Sequence, residues 1–417
     1  MVDATVQRLG GQGDGIALAD TKLLYVPLTL PGEKIKVKIG RPLGDSYSAQ
    51  LIEVSEASPD RVTPPCPHFS LCGGCSLQHL AAKPYKEHKR QVVVEALRQH
   101  KLTNIDIREA LVMPAATRRR LSMAALHTKD GVILGFNARA SHTIVNIENC
   151  SIARPELITW LPKLRAVLQP WLVKAKSLDL ILTATPAGID LLITGAEPDL
   201  IAREAIAILG TQQTLARISW RANERSLPEP MLELRAPYVT FADMNVPFPP
   251  GAFLQASLQG ETTLTQLVKG ALRETKGDIA DLFAGLGTFS LPLSQQADVL
   301  AVESDKNAVS ALKRAVAQYP KIKVEQRDLF REPLAAKELE RFAGAVFDPP
   351  RAGAQAQVAE LAKSNVPVIV AVSCNPGTFA RDAETLVKGG YTCDWVQPVD
   401  QFIWSSHIEL VARFSKL

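Results

Sequence analysis

The chain has 417 residues, 46% of them apolar, and a formal net charge of +4. That length and composition admit two or three domains with real cores. No apolar run approaches the length of a membrane span, so no membrane-spanning helix is expected, and the mild net charge does not by itself imply nucleic acid. Its distribution says more. Lys83 to Arg120 holds 10 Lys and Arg against 4 Asp and Glu, a basic segment on an otherwise nearly neutral chain and an electrostatic footprint for a polyanion. A solvated helix face would give the same count. The start, Met1-Val2-Asp3-Ala4-Thr5, has neither a basic nor an apolar leader region, so a cytoplasmic protein without a signal peptide is expected, with no membrane partner. In a reducing compartment its six cysteines are better read as metal ligands or catalysts than as disulfides.

Residues 1–58 read as short strands and turns: Gly10-Gly11-Gln12-Gly13-Asp14-Gly15, then Lys22 to Pro27, then Lys34 to Ile39, with Pro31-Gly32-Glu33 as a tight turn. The pattern suits a small β-barrel of OB type, a shape that often binds RNA, or a plain packing module. Residues 59–245 form an α+β middle segment. It opens at Pro64-Pro65, with a helix over Tyr85 to His100 and strands around Arg119–Leu126, Val132–Phe136 and His142–Ile147.

From 246 to 417 the pattern becomes regular. A helix near Gln255–Leu272 precedes strands Asp278–Phe283, Val299–Val302, Ile322–Val324, Ala345–Phe347 and Val368–Val372, with helices between them. This alternation predicts an α/β doubly wound, Rossmann-like sheet, closed by an antiparallel edge hairpin near Thr392–Val396 and Ile408–Phe414.

Asp281-Leu282-Phe283-Ala284-Gly285-Leu286-Gly287-Thr288-Phe289-Ser290 runs from strand to helix, and its glycines let backbone approach a ligand closely. The third glycine of a dinucleotide fingerprint would fall at Ser290, so a nicotinamide cofactor is disfavoured. Glu303, 18 residues beyond Gly285, stands where an acid binds ribose hydroxyls. S-adenosylmethionine has a ribose and no pyrophosphate. Glu303, Asp328 and Asp348, at successive strand ends, fit it; a structural turn is the bland alternative. Asp348-Pro349-Pro350-Arg351 makes a rigid turn where a substrate base would lie. Arg351 replaces the aromatic residue that amino-methyltransferases place there.

Cys374 follows an apolar strand, and a helix starting near Pro376 is expected to lower its thiol pKa. Glu409 lies near the start of the last strand. A thiol and a carboxylate beside a methyl donor suggest covalent catalysis with a separate base. Carbon 5 of uracil requires that pairing: it is too weak a nucleophile until a thiolate adds at C6, and a base must later remove the C5 proton. Cys393 reads as a core cysteine.

The last 170 or so residues resemble the RNA uridine-C5 methyltransferases through Gly251-Ala252-Phe253-Leu254-Gln255, Asp281-Leu282-Phe283-Ala284-Gly285, Asp348-Pro349-Pro350-Arg351, Ser373-Cys374-Asn375-Pro376 and His407-Ile408-Glu409. The resemblance implies Cys374 as nucleophile and Glu409 as base. It also implies methyl-donor contacts from Gln255, Phe283, Thr288, Glu303, Asp328 and Asp348, and a substrate contact at Phe253. Ser257 stands where the family commonly has Asn, and Ala284 where Cys is frequent. Asp400-Gln401-Phe402-Ile403-Trp404-Ser405-Ser406-His407 departs from the usual Met-Phe-Pro-His-Thr lead-in.

The remaining cysteines, Cys66, Cys72, Cys75 and Cys150, are spaced C-x5-C-x2-C-x74-C. Three clustered ligands and a distant fourth suit a [4Fe-4S] cluster better than zinc, whose sites usually come as two close pairs. The same framework, with Cys-Gly-Gly-Cys, occurs in the ribosomal RNA branch of the family. Gly13-Asp14-Gly15-Ile16-Ala17 and Leu30-Pro31-Gly32-Glu33 are similar to a TRAM module. Together these point to 23S ribosomal RNA as partner, with no DNA and a monomeric enzyme. Arg118, Arg119 and Arg120 are the expected RNA contacts, although strand alternation should turn one of them inward onto a carboxylate. Two readings compete: an amino-methyltransferase acting on adenine or a protein amide, and a non-catalytic RNA-binding iron–sulfur protein.

Overall fold

Five strands, Val2–Leu9, Gly15–Ala19, Lys22–Val26, Lys34–Leu43 and Ser46–Glu56, close into a barrel at the N-terminus of the computed structural model, which describes residues 1–416. Neighbours run antiparallel except Lys22–Val26 beside Ser46–Glu56, which are parallel. That is the strand order of an OB-type barrel. Alternating positions Val6, Ala17, Leu24, Val26, Ile35 and Val37 fill its interior. The turn at Pro31-Gly32-Glu33 needs its glycine, because Gly32 has φ +85°. Glu33 is fully buried and holds Arg61 through a bidentate pair, which fastens the barrel to the segment that follows.

The middle segment builds a seven-stranded sheet in the order Ile144–Asn146, Gly131–Asn137, Arg120–Thr128, Ser177–Thr185, Gly188–Gly195, Leu215–Arg221 and Glu229–Glu233. Helix Leu161–Leu172 covers one face through Leu164, Leu168 and Trp171.

The C-terminal sheet has nine strands, eight of them in its main path. Ile322–Gln326, Val299–Glu303, Ile279–Leu282, Gly344–Phe347 and Val368–Ser373 run parallel. Glu409–Ser415 then enters antiparallel and Thr392–Asp400 pairs beside it. Helices cover both faces, so apolar residues divide into two large clusters around an almost wholly buried sheet.

The closing hairpin is not the edge of the sheet. Asp106–Ile107 and Leu111–Val112 pair in parallel outside Thr392–Asp400. Helix Ala82–Gln99 presses Val93 and Leu97 into the same core as Val396 and Tyr391. Residues 82–112, which precede the middle sheet in the chain, thus pack on the C-terminal one. Among the described residues no helix is long and apolar enough to cross a membrane.

Candidate active site and cysteine pocket

The carboxyl ends of the parallel strands converge with the start of Glu409–Ser415, as expected where an open α/β sheet binds its ligand. Gly285 and Gly287 have φ +55° and +90°, and Phe283 sits at +64°, so the loop after Ile279–Leu282 is a tight left-handed turn. Gly285 N–H donates to Glu303 Oε2 at 2.9 Å, and Glu303 Oε1 receives the N–H groups of Ser304 and Asp305. Thr288 lies in the same loop. The Phe283 ring lies 5.4 Å from that of Phe330, which is exposed. Asp328 is partly taken up by its own turn: it accepts Phe330 N–H at 3.0 Å and faces Arg331 at 3.6 Å. Phe253 is 70% exposed, whereas Gln255, two residues on, is buried.

Two buried carboxylates, Asp281 and Glu409, and the half-buried Asp348 gather here, and among the described residues none is paired with Lys or Arg within 4 Å. Burial, with the nearby Asp348 and Glu303 charges, pushes Asp281 up to about 7 despite the Ser290 hydroxyl bonded to it. Burial likewise lifts Asp348 to about 7. Glu409 rises to about 8 through burial and the Asp348 charge, against Gln401 and Arg351. Asp281 Oδ1 and Glu409 Oε2 have no hydrogen-bond partner. An acid cluster without protein cations is electrostatically suited to a cationic ligand.

Cys374 lies between Val368–Ser373 and helix Pro376–Lys388. The expected lowering of its thiol pKa does not occur. Burial raises it to about 11, the Glu409 and Asp348 charges add to the rise, and Arg351 offsets only part. Asn375 caps the helix by accepting Gly377 N–H at 3.0 Å, so one of the free N–H groups at the helix start is already taken. Cys374 opens on a cleft of about 990 Å³ between the barrel and helix Ala82–Gln99, lined also by Arg351, His407, Gln12 and His88. Arg351 donates to Nδ1 of His407 at 2.7 Å.

The segment from Asp400 to Glu409 is bolted from both sides, and these bolts were missed in the sequence. Lys89, fully buried, pairs with Asp400 at 3.3 Å and donates to the carbonyls of Ser405 and His407. Tyr85 donates to the same Asp400 carboxylate. Trp404 O accepts the N–H groups of Ser76 at 2.7 Å and Leu77 at 2.9 Å, from the loop that carries Cys75. The available signal was the four-residue spacing of Tyr85, Lys89, Val93 and Leu97, which places a lysine on the buried face of its helix. Gln401 was missed as well; it donates to Gln255 and Glu409.

Cys66, Cys72, Cys75 and Cys150 line one cavity of about 290 Å³ with Arg118, Phe69 and His407. All four are free thiols. Burial raises Cys72 and Cys150, and it carries Cys75 to about 12. Gly74 N–H donates to Cys72 Sγ at 3.4 Å, and Gln78 Oε1 accepts Cys66 N–H at 3.1 Å. Among the described residues no three Cys, His, Asp or Glu side chains close on a point that would hold a single metal ion.

The basic run needs correction. Arg119 is buried and ion-paired with Glu261, with Nε donating to Gln255 O at 3.0 Å, so it is removed from any RNA surface. Lys89 is likewise internal. Arg118 and Arg120 are half-buried; Arg118 stacks 5.6 Å over the Phe402 ring, and Arg120 Nε has no partner.

A doubly wound domain whose strand ends gather a glycine turn, a ribose-spaced glutamate and a cluster of acids has the framework of a methyltransferase. The chain belongs to the RNA uracil-5-methyltransferase family and is an enzyme of that family: residues 239–416 match the model described as tRNA (Uracil-5-)-methyltransferase. An uncharacterised RNA methyltransferase of Brucella melitensis is 42% identical over 99% of this chain and 97% of its own length. The 23S rRNA (uracil(1939)-C(5))-methyltransferase RlmD of Shewanella amazonensis is 30% identical over 98% of this chain and 94% of its own. The fold is similar along its whole length to that of Pyrococcus abyssi tRNA (uracil-54, C5)-methyltransferase in complex with S-adenosyl-L-homocysteine. That likeness has a TM-score of 0.77, 23% identity and 99% coverage of both chains.

Proposed function

We propose that the protein methylates carbon 5 of a uridine in 23S ribosomal RNA, in the cytoplasm, through a transient bond between Cys374 and carbon 6. The observation that carries this reading is a thiol lining a large cleft, close enough to Glu409 and Asp348 to feel their charge. Cys374 loses its proton to solvent through the cleft, and the thiolate adds to C6, making C5 the nucleophilic carbon of an enolate. S-adenosylmethionine, when bound, supplies an electrophilic methyl group and a positive charge that lowers the pKa of nearby acids. Gln255, Phe283, Thr288, Glu303, Asp328 and Asp348 are the residues that would hold it, Asp328 with the least free carboxylate. Glu409 then takes the C5 proton; that electron pair re-forms the C5–C6 double bond, and the C6–S bond breaks to release the Cys374 thiolate.

The relative that acts on 23S rRNA and the OB-type barrel at the cleft support the ribosomal target. The barrel, read as TRAM-like, Phe253, Arg118 and Arg120 are the proposed RNA contacts. For the cysteines, four thiols around one cavity, with an N–H···S donor at Cys72, suit the sulfur ligation of a [4Fe-4S] cluster, held by Cys66, Cys72, Cys75 and Cys150. It would tie the barrel-proximal loop to Cys150; methyl transfer itself consumes no electrons.

Ribosomal RNA carrying 5-fluorouridine tests the chemistry, since fluorine at C5 blocks the last proton loss. A denaturant-resistant complex that requires the methyl donor and maps to Cys374 is expected. Turnover of unsubstituted RNA without any such complex would overturn the covalent route in favour of amino-methylation. Mass-spectrometric mapping of 5-methyluridine in 23S and transfer RNA, with and without the enzyme, decides the target.

A further inference from the structure

Gln401 follows the last residue of Thr392–Asp400 and is buried. Its side-chain oxygen accepts Ala256 N–H at 3.0 Å. A backbone N–H can only donate, so the orientation of this amide is fixed and its NH₂ must face the site. There it donates to Gln255 Oε1 at 2.6 Å and to Glu409 Oε1 at 3.3 Å. Gln255, with its oxygen occupied, turns its own NH₂ to Asp348 Oδ2 at 3.2 Å. The socket is tight: a Cβ at Gly260 would meet Gln401 Oε1 and Cβ at 2.8 Å. The consequence is an asymmetry in Glu409, whose Oε1 is engaged while Oε2 is buried and unpartnered.

We infer that Gln401 is a positioning residue that pins Glu409 by Oε1, presents Oε2 to the C5 proton, and ties this base to the Gln255–Asp348 arm. The inference rests on the reading of Glu409 as the base. In the step it serves, Oε2 gains the proton from C5, the freed electron pair restores the C5–C6 double bond, and the C6–S bond breaks to return the Cys374 thiolate. Glu409 is faced by Asp348 and Arg351 from the turn after Gly344–Phe347, by Cys374 after Val368–Ser373, and by Gln401. Of these, Gln401 and Arg351 favour its ionised form.

The test uses full-length enzyme and RNA labelled with tritium at uridine C5, following methyl incorporation, tritium release and denaturant-resistant adduct together. Gln401→Met keeps the length and removes both hydrogen-bonding ends. It should methylate RNA yet release tritium roughly 10²-fold more slowly, the scale of a misplaced catalytic group. Adduct should accumulate, and the acid limb of the release profile should move to higher pH. Gln401→Glu keeps the acceptor for Ala256 N–H but sets a carboxylate against Glu409; its acid limb should move up further, which keeps the inference testable if the Met variant fails to fold. Release at the wild-type rate with an unmoved pH limb in either folded variant overturns the role of Gln401. Absence of tritium release by the wild-type enzyme on RNA that it methylates would instead overturn the uracil-C5 reading, and the inference with it.

Discussion

The strand-end acid cluster and the cysteine pocket flank the Asp400–Glu409 segment, and they are built on opposite electrostatic logic. Asp281, Asp348 and Glu409 gather with no salt-bridging cation among the described residues, so each is driven toward its protonated form. Burial likewise disfavours the thiolates of Cys72, Cys75 and Cys150, but Arg118 and Arg139 stand beside this group and stabilise negative charge there. Arg139 also donates to Cys75 O at 2.8 Å. The first arrangement awaits a positive ligand; the second tolerates an anionic one. His407 lines both the cleft and the cysteine pocket, and Trp404 ties the connecting segment to the cysteine loop.

The sharpest break in this comparison is Cys374→Ala. It removes the only step that needs a thiolate, so methyl transfer should fall to background while methyl-donor and RNA affinities stay at wild-type values by calorimetry and filter binding. Residual turnover near wild type would move the nucleophile elsewhere. On the other side, Ser at any one of Cys66, Cys72, Cys75 or Cys150 should abolish the absorbance near 400 nm expected of anaerobically purified protein. Zinc at about one per chain without iron or sulfide, in the unmutated protein, would refute the cluster.

Asp348→Asn is milder and tests the acid cluster directly. Losing a charged hydrogen-bonding group costs about 1.5–3 kcal/mol, so methyl-donor affinity should weaken roughly 10- to 100-fold. The sign of its pH effect is opposite to that of Gln401→Met. The Asp348 charge raises Glu409, which must be ionised to act as base. Without that charge Glu409 ionises at lower pH, so the acid limb of tritium release at saturating donor should move down. An upward shift, or none, would mean that Asp348 and Glu409 do not share one cluster.

Much of this arrangement is legible locally. Gly285, Gly287, Glu303, Asp348 and Cys374 each sit where an apolar strand gives way to a turn, a transition that neighbouring residues announce. The pKa of Cys374 was not legible, because a helix start is written in adjacent residues whereas the burial and the carboxylates that overrule it come from remote strands. Gln401 and Lys89 were hidden for the same reason: their partners lie 146 and 311 residues away in the chain. Lys89 even misled, since a count of charge cannot distinguish a solvated lysine from one locked to a buried aspartate. Strand alternation did place one arginine of Arg118-Arg119-Arg120 inward, and it is Arg119.

That alternation supplies the smallest and most discriminating expectation. Arg118 and Arg120 differ from Arg119 in what they touch: one lies over Phe402 and lines the cysteine pocket, the other keeps an unpartnered Nε, while the third neutralises Glu261. Alanine at Arg118 and Arg120 should therefore weaken RNA binding and flatten the log–log salt dependence by about 0.7 for each phosphate of a single strand that is no longer neutralised. Methyl-donor affinity should not change. Arg119→Ala should leave the slope intact and instead cost about 3–5 kcal/mol of stability by stranding the Glu261 carboxylate, read as a lower urea midpoint. If the double variant binds ribosomal RNA fragments with an unaltered slope, the phosphates are held elsewhere. The barrel side of the cleft, where Arg8 and Gln12 face His88 and Gln91, then becomes the surface to neutralise next.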